Sequence, residues 1–295
     1  MNPKAGYRSG QSLVDGVVRC LEQRGMGAVV VSGIEELERS AEAKMADGTL
    51  RAVVAAGGDG TVGMVVNRTP VGTPIAVLPL GTENLLAKYL QASTDPERLA
   101  ASVDHGRLVH LDAGEANGRV FLLMAGCGFD AEVVRRMHDQ RIGHISHLSY
   151  FKPILDSICN YPYPEVRIYL SESAGSATAE SVIRAKWVFV VNLPRYAGGL
   201  SLVPQADGTD GLLDVCTFRE GSLLNGLVYF AGVLTGQHQS WEDCVTTQVR
   251  ALRMEADQPV PLQLDGDPAG YLPVDIRVLS RRLTFVVAED WHPDV

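Results

Sequence analysis

Short apolar runs, each ended by glycine or proline and followed by a segment of helical period, fill the first third of the chain. Ala28-Val29-Val30-Val31 reads as one strand, followed by a Glu-rich amphipathic helix from about Ile34 to Ala46. Arg51 to Ala56 and Ile75 to Leu78 read as two more strands. Thr94-Asp95-Pro96-Glu97 supplies a capping residue, a first-turn proline and a first-turn acid, so a helix runs from there to about Val103. Strands alternating with helices predict a parallel sheet covered by helices. After Arg107 strand-like runs dominate: Val120 to Met124, Val166 to Leu170, Lys186 to Val191, Leu212 to Phe218, Val245 to Met254, Val260 to Leu264, Ile276 to Leu279 and Leu283 to Val287. Helical stretches interrupt them near Asp130 to Asp139 and Ser222 to Leu234, and the polar run Ser171 to Ala177 reads as a mobile hairpin loop. The expected organisation is an α/β domain over residues 1–108 and a β-rich domain over residues 109–295.

Candidate chemistry sits where strands meet turns. Gly57-Gly58-Asp59-Gly60-Thr61 follows an apolar strand and opens a helix. Glycines let the backbone bend sharply and approach a ligand, so successive N–H groups can point at a phosphate beside the positive end of the helix. Asp59 would repel a phosphate, so its expected work is to hold Mg²⁺ or water, or to take a proton. Otherwise it is a solvated turn residue. Gly81-Thr82-Glu83-Asn84 follows the strand ending at Leu78 and makes a second turn of the same kind. Near the far end, Val260 to Leu264 delivers two carboxylates, Asp265 and Asp267, on either side of Gly266. Asp207 and Asp210, three apart in a glycine-rich loop, are a plain acidic turn or a seat for a hard cation.

Composition narrows the field modestly. A chain of 295 residues, 46% apolar, has material for two cores. Its net charge of −9 argues against nucleic acid, or a strongly anionic membrane, as a standing partner. Five cysteines without a Cys-x-x-Cys pair read as reduced thiols of a cytoplasmic protein. No run reaches the ~18 apolar residues of a membrane span, and no secretory signal opens the chain. His138, His144 and His147 lack partners for a persuasive zinc site, and their surroundings read as a solvated face or a headgroup contact. Trp187 and Trp241 read as core residues. A Walker-type ATPase is excluded, because no Gly-x-x-x-x-Gly-Lys-Ser/Thr occurs.

Taken in order, six motifs carry a specific resemblance. Asn2-Pro3-Lys4-Ala5-Gly6, Gly57 to Thr61, Gly81 to Asn84, Gly126-Cys127-Gly128-Phe129-Asp130-Ala131, Asp210-Gly211-Leu212-Leu213-Asp214 and Asp265-Gly266-Asp267 span nearly the whole chain. Together they resemble the diacylglycerol kinase catalytic-domain family, soluble lipid kinases that include sphingosine and ceramide kinases. The resemblance implies an NAD-kinase-like nucleotide-binding domain followed by a β-sandwich domain. It implies ATP in the cleft between them, on Gly57, Gly58, Asp59, Gly60, Thr61, Gly81, Thr82 and Asn84, with Ser32 as a further nucleotide contact. Asp59 supports a catalytic Mg²⁺, Asp130 positions the substrate hydroxyl, and a structural Mg²⁺ is held by Asp207, Asp210 and the Leu212 carbonyl. The family's terminal glutamate, its base, is matched by Asp267, one methylene shorter, and Asp265 is the other candidate. Leu85 replaces an aspartate of many members. Only Met1 stands where the family has a first strand, which would leave a neighbouring ladder bare. The implied partner is a lipid substrate met transiently at a membrane surface by a cytoplasmic, peripheral enzyme, with no nucleic acid and no stable span; a homodimer fits too. NAD kinases, which share the glycine loop, and a catalytically weak lipid-binding relative are the alternatives.

Overall fold

Two strands that are apolar at nearly every position organise the beginning of the fold, as expected of a parallel sheet covered on both faces. The computed structural model describes residues 9–140, 161–171, 182–195 and 200–292. The chain folds as two compact units, one of residues up to Asp112 with those from Arg281 onward, the other of Ala113–Ser280.

In the first unit, β1 (Val53–Gly57) and β2 (Pro74–Pro79) pair in parallel, Val53 opposite Ile75 and Gly57 opposite Pro79. Helices α1 (Ser9–Gln23), α2 (Ile34–Ala46), α3 (Asp59–Arg68), α4 (Leu85–Tyr89) and α5 (Pro96–His105) accompany them. Val14 and Val17 of α1, with Leu99 and Val103 of α5, pack in one core with Ala76 and Leu78. The Asp95 side chain caps α5, accepting from the amides of Glu97 and Arg98, with Pro96 in the first turn.

The second unit holds β4 (Arg119–Phe121), β5 (Met124–Gly128), α6 (Phe129–Gln140), β6 (Val166–Ser171), β7 (Val182–Ala185), β8 (Trp187–Val191), β9 (Leu213–Phe218), α7 (Leu223–Thr235), β10 (Cys244–Val249), β11 (Ala251–Glu255), β12 (Pro261–Leu264) and β13 (Asp267–Tyr271). Six strands make an antiparallel sheet in the order β10-β9-β8-β5-β12-β13. A second antiparallel layer runs β11-β6-β7. Val188, Val190 and Leu264 of the first layer share one core with Ile168, Leu252 and Met254 of the second, which makes a β-sandwich. The strands β3 (Arg107–Ala116) and β14 (Val274–Val287) contribute residues to both units.

Several elements differ from the sequence expectation. Ala28 to Val31 is not a strand: Val29 and Val30 are 70% and 47% exposed. This segment and β1 both line a cavity of about 330 Å³, and the described ladder partner of β1 is β2. The run Val245 to Met254 is two strands in different layers, because β10 pairs with β9 whereas β11 pairs with β6 and β14. Conversely, Ile276 to Leu279 and Leu283 to Val287 are halves of β14, whose irregularity at Arg281 (φ 54°) is held by the Arg281 amide donating to Asp112. Through β14 the chain returns, so residues after Ser280 belong with the first unit. The loop expected at Ser171 to Ala177, along with His144 and His147, falls largely outside the described residues. No described helix is long and apolar enough to cross a membrane.

Candidate active site

Two glycine turns of the first unit touch. Gly58, the N-cap of α3, offers no side-chain acceptor to the first turn; its carbonyl takes the Thr61 amide (2.8 Å), and the amides of Asp59 and Gly60 are suited to an anion. A Cβ added at Gly81 would lie 2.7 Å from the Gly58 Cα and 2.6 Å from Asn84 Oδ1. Asn84, left-handed at φ 48°, clamps its own turn: Oδ1 accepts from the Gly81 amide (3.1 Å) and Nδ2 donates to the Gly81 carbonyl (2.7 Å). Behind them, a Cβ at Gly57 would meet Thr61 Oγ1 at 2.2 Å, so glycine there lets the buried Thr61 side chain fold against the strand end. Gly60 and Thr82 are exposed. Ser32 lines the cavity beside β1, whose wall also includes Thr61.

Asp59 joins the two turns. Its Oδ2 accepts from the Leu85 amide (2.8 Å) and its Oδ1 from the Leu86 amide (3.0 Å), so a residue of α3 caps α4. Burial lifts the Asp59 carboxyl above the ordinary aspartate range, and the two amides pull it back. Asp59 is therefore neither a solvated turn residue nor a side chain waiting only for metal. We predict that Asp59→Asn, which sets an NH₂ against one amide donor, lowers stability by about 1–3 kcal/mol along with activity. An unchanged melting curve in the Asn variant would show that the clamp holds nothing.

In the second unit, Asp265 and Gly266 are the central residues of a two-residue hairpin between β12 and β13, with φ of 50° and 82°. Asp-Gly is the dipeptide that such a primed turn favours. The Asp265 carboxylate accepts from three successive amides, Leu122, Leu123 and Met124, at 2.7, 2.8 and 3.0 Å. Asp267, whose side chain is 47% exposed, lies 3.5 Å from Arg119 Nη2. Fully buried Gln263 bridges this turn to α6: its Oε1 accepts from the Gly266 amide (2.8 Å) and its Nε2 donates to Asp130 Oδ2 (3.0 Å). Gly126 makes room for the bridge, since a Cβ there would lie 2.8 Å from both Asp130 Oδ2 and Gln263 Nε2. The structure thus groups Asp130, Asp265 and Asp267 around one hairpin. Gln263 and Arg119 are additions that the sequence pattern did not single out; a polar residue at a core position of strand 261–264 was the available signal for Gln263.

The third cluster is the loop before β9. Asp207 Oδ1 accepts from the amide and hydroxyl of Thr209 (3.0 and 2.7 Å), and Asp210 accepts from the Leu212 amide (2.8 Å) and Gln248 (3.1 Å). Asp214, buried nearby, is a further acid: burial first, then Asp210, pushes its carboxyl up to about 6. Among the described residues no three His, Cys, Asp or Glu side chains converge as ligands, so a cation here would draw on two carboxylates, the Leu212 carbonyl and water.

Comparison with known proteins covers most of the chain. Residues 1–116 match the family described as "Diacylglycerol kinase catalytic domain", and residues 124–287 match "YegS C-terminal NAD kinase beta sandwich-like domain". A protein of Mycobacterium tuberculosis (strain CDC 1551 / Oshkosh) named "Diacylglycerol kinase" is 28% identical over 292 residues, 96% of this chain and 92% of that one. A crystal structure described as "a putative diacylglycerol kinase from Bacillus anthracis str. Sterne" superposes with a TM-score of 0.71 at 18% identity, covering 97% of this chain and 94% of its own. An NAD kinase from Archaeoglobus fulgidus, solved in complex with ATP, superposes at 0.53 with 14% identity, covering 94% and 90%. The fold is accordingly NAD-kinase-like, and by its matched domains the chain belongs to the diacylglycerol kinase and YegS-like family of lipid kinases, phosphotransferases that act on an alcohol.

Proposed function

We propose that this lipid kinase transfers the γ-phosphoryl group of ATP to a hydroxyl of diacylglycerol or a similar lipid, with Mg²⁺ as counter-ion. The observation that carries this reading is the contact of Gly58 with Gly81, which joins two strand-to-helix turns into one glycine-lined surface. Phosphoryl transfer asks mainly for positioning and charge neutralisation, and such turns provide both through backbone amides. The donor set suits a hard cation, because Asp59 brings carboxylate oxygens to the turns, and Asp207, Asp210 and the Leu212 carbonyl bring oxygens to the loop before β9. When bound, Mg²⁺ would neutralise phosphate charge at the first place and brace the loop at the second.

The chain's own work is then divided. Gly57 to Thr61 and Gly81 to Asn84 hold the phosphates. Asp267 takes the proton from the lipid hydroxyl as its oxygen bonds to the γ-phosphorus and the bond to the ADP oxygen breaks. Asp265, committed to three amides, fixes the hairpin that carries Asp267. Asp130, held through Gln263, orients the acceptor hydroxyl. The testing experiment offers radiolabelled ATP with micelles of diacylglycerol, phosphatidylglycerol, a sphingoid base or an isoprenoid alcohol, and separately with NAD. Label in a lipid phosphate is expected. Label on NAD alone would replace this reading with an NAD-kinase activity.

The loop cation carries its own expected result. Mg²⁺ should raise the melting temperature of the parent, and Asp210→Ala should lower it and abolish the response, because a ligand that binds only the folded state stabilises by mass action. A parent melting curve indifferent to chelator would remove this cation from the account.

A further inference from the structure

Helix α7 is built inside out. Its sequence, LLNGLVYFAGVLT, contains no charged residue. Toward the protein it presents Gly226, Tyr229, Gly232 and the half-buried Val233: a Cβ on Gly226 would meet the Trp187 ring at 2.9 Å, one on Gly232 would meet the Trp241 ring at 2.1 Å, and Tyr229 stacks on Phe218 at 4.4 Å. Away from it stand Leu223, Leu224, Leu227, Val228, Phe230 and Leu234, 39–69% exposed. At 3.6 residues per turn these six occupy an arc of roughly 160°. A surface helix of a water-soluble protein normally turns its large aliphatic side chains the other way.

The exposure does not come from a loosely held element. Ser222 Oγ caps the Asn225 amide, and the chain leaves the helix through left-handed Gly236. The Tyr229 hydroxyl donates to Asp243 (2.5 Å) and accepts from the Glu220 amide (3.2 Å). Just beyond the helix, buried His238 faces the carbonyls of Leu202 and Gly232. A rigid helix thus presents an apolar, uncharged face to the outside.

We propose that this face of α7 is a membrane-docking surface that lies flat in the interface of a lipid bilayer; the proposal rests on the reading of this chain as a kinase of membrane lipids. Size separates a bilayer from a protein partner. The six side chains expose an area on the order of 500 Å², short of the ~800 Å² per partner that a stable protein interface buries. The six also carry no hydrogen-bonding group that could orient a protein partner. At 1.5 Å per residue the helix is about 20 Å long, too short to cross a hydrocarbon core of ~30 Å but sufficient to lie along its boundary. With no charge on the helix and a net charge of −9 on the chain, apolar insertion rather than anionic attraction drives the contact.

The test is co-sedimentation of the full chain with pure phosphatidylcholine vesicles, without ATP or any hydroxyl acceptor, at low and high salt. The parent should bind equally at both. The double variant Leu224→Asp, Leu227→Asp should partition roughly ten-fold less or worse, with unchanged melting and unchanged turnover on a short-chain, monomerically dispersed acceptor. Leu224→Trp, which fills the interface with an amphipathic ring, should bind more tightly than the parent. A parent that ignores the vesicles, or loses binding in high salt, overturns the proposal. So does a parent dimer that the Asp variant splits while vesicle binding stays absent. Because binding is read without substrate, a wrong acceptor assignment would leave the vesicle result standing.

Discussion

Asp267→Ala is expected to lose about 10²–10⁴ in kcat while its affinity for ATP barely changes. A proton acceptor acts in the transition state far more than in ground-state binding, so the loss falls on kcat. Asp267 opens β13 with its side chain half exposed, and its pairing with Arg119 at 3.5 Å is an exposed contact of small energetic worth. Removing it should leave the melting temperature close to that of the parent. Asp267→Glu should equal or exceed the parent, because the family pattern places a glutamate here and the extra methylene extends reach. Asp265→Ala should behave differently. It orphans the amides of Leu122, Leu123 and Met124, so the fold melts lower and activity falls with it. An active Asp267→Ala beside a stable but dead Asp265→Ala would move the base to Asp265. Normal turnover in both would reject the mechanism.

Gly81→Ala is expected to disable nucleotide use with one methyl group. That methyl would stand 2.6 Å from Asn84 Oδ1 and 2.7 Å from the Gly58 Cα, and the second neighbour is backbone. The turns must part. Overpacking of this kind costs about 1–3 kcal/mol, and displacing a positioning element by ~1 Å can cost ~10²-fold in rate. Both kcat and the KM for ATP should suffer. Gly63→Ala, in the interior of α3 with nothing within 4 Å of its added methyl, is the matched control and should be neutral or stabilising by about 0.5–1 kcal/mol. Full activity in Gly81→Ala, measured beside that control, would show that the contact between the turns does not position the phosphates.

The sequence alone was enough for the elements that rest on local rules. Helices at 34–46 and 96–105 and the strand at 53–57 leading into its glycine turn each depend on caps, apolar period or glycine, all encoded within a few neighbouring residues. The order of six motifs was likewise legible, and the family matches agree with it.

Tertiary structure decided which groups those motifs meet. A carboxylate's hydrogen-bond partners are set by chain segments far away in sequence: Asp59 finds amides 26 and 27 positions on, and Asp265 finds three amides more than 140 positions back. No local pattern encodes such a distance. The same limit explains the strands. An apolar run looks alike whether it stays in one layer or crosses between two, as 245–254 does, and Ala28 to Val31 has the composition of a strand but not the neighbouring ladder that makes one. The outward face of α7 follows as well, because its period announces a helix, and only the packing of Gly226 and Gly232 on two tryptophans turns its aliphatic side away from the core.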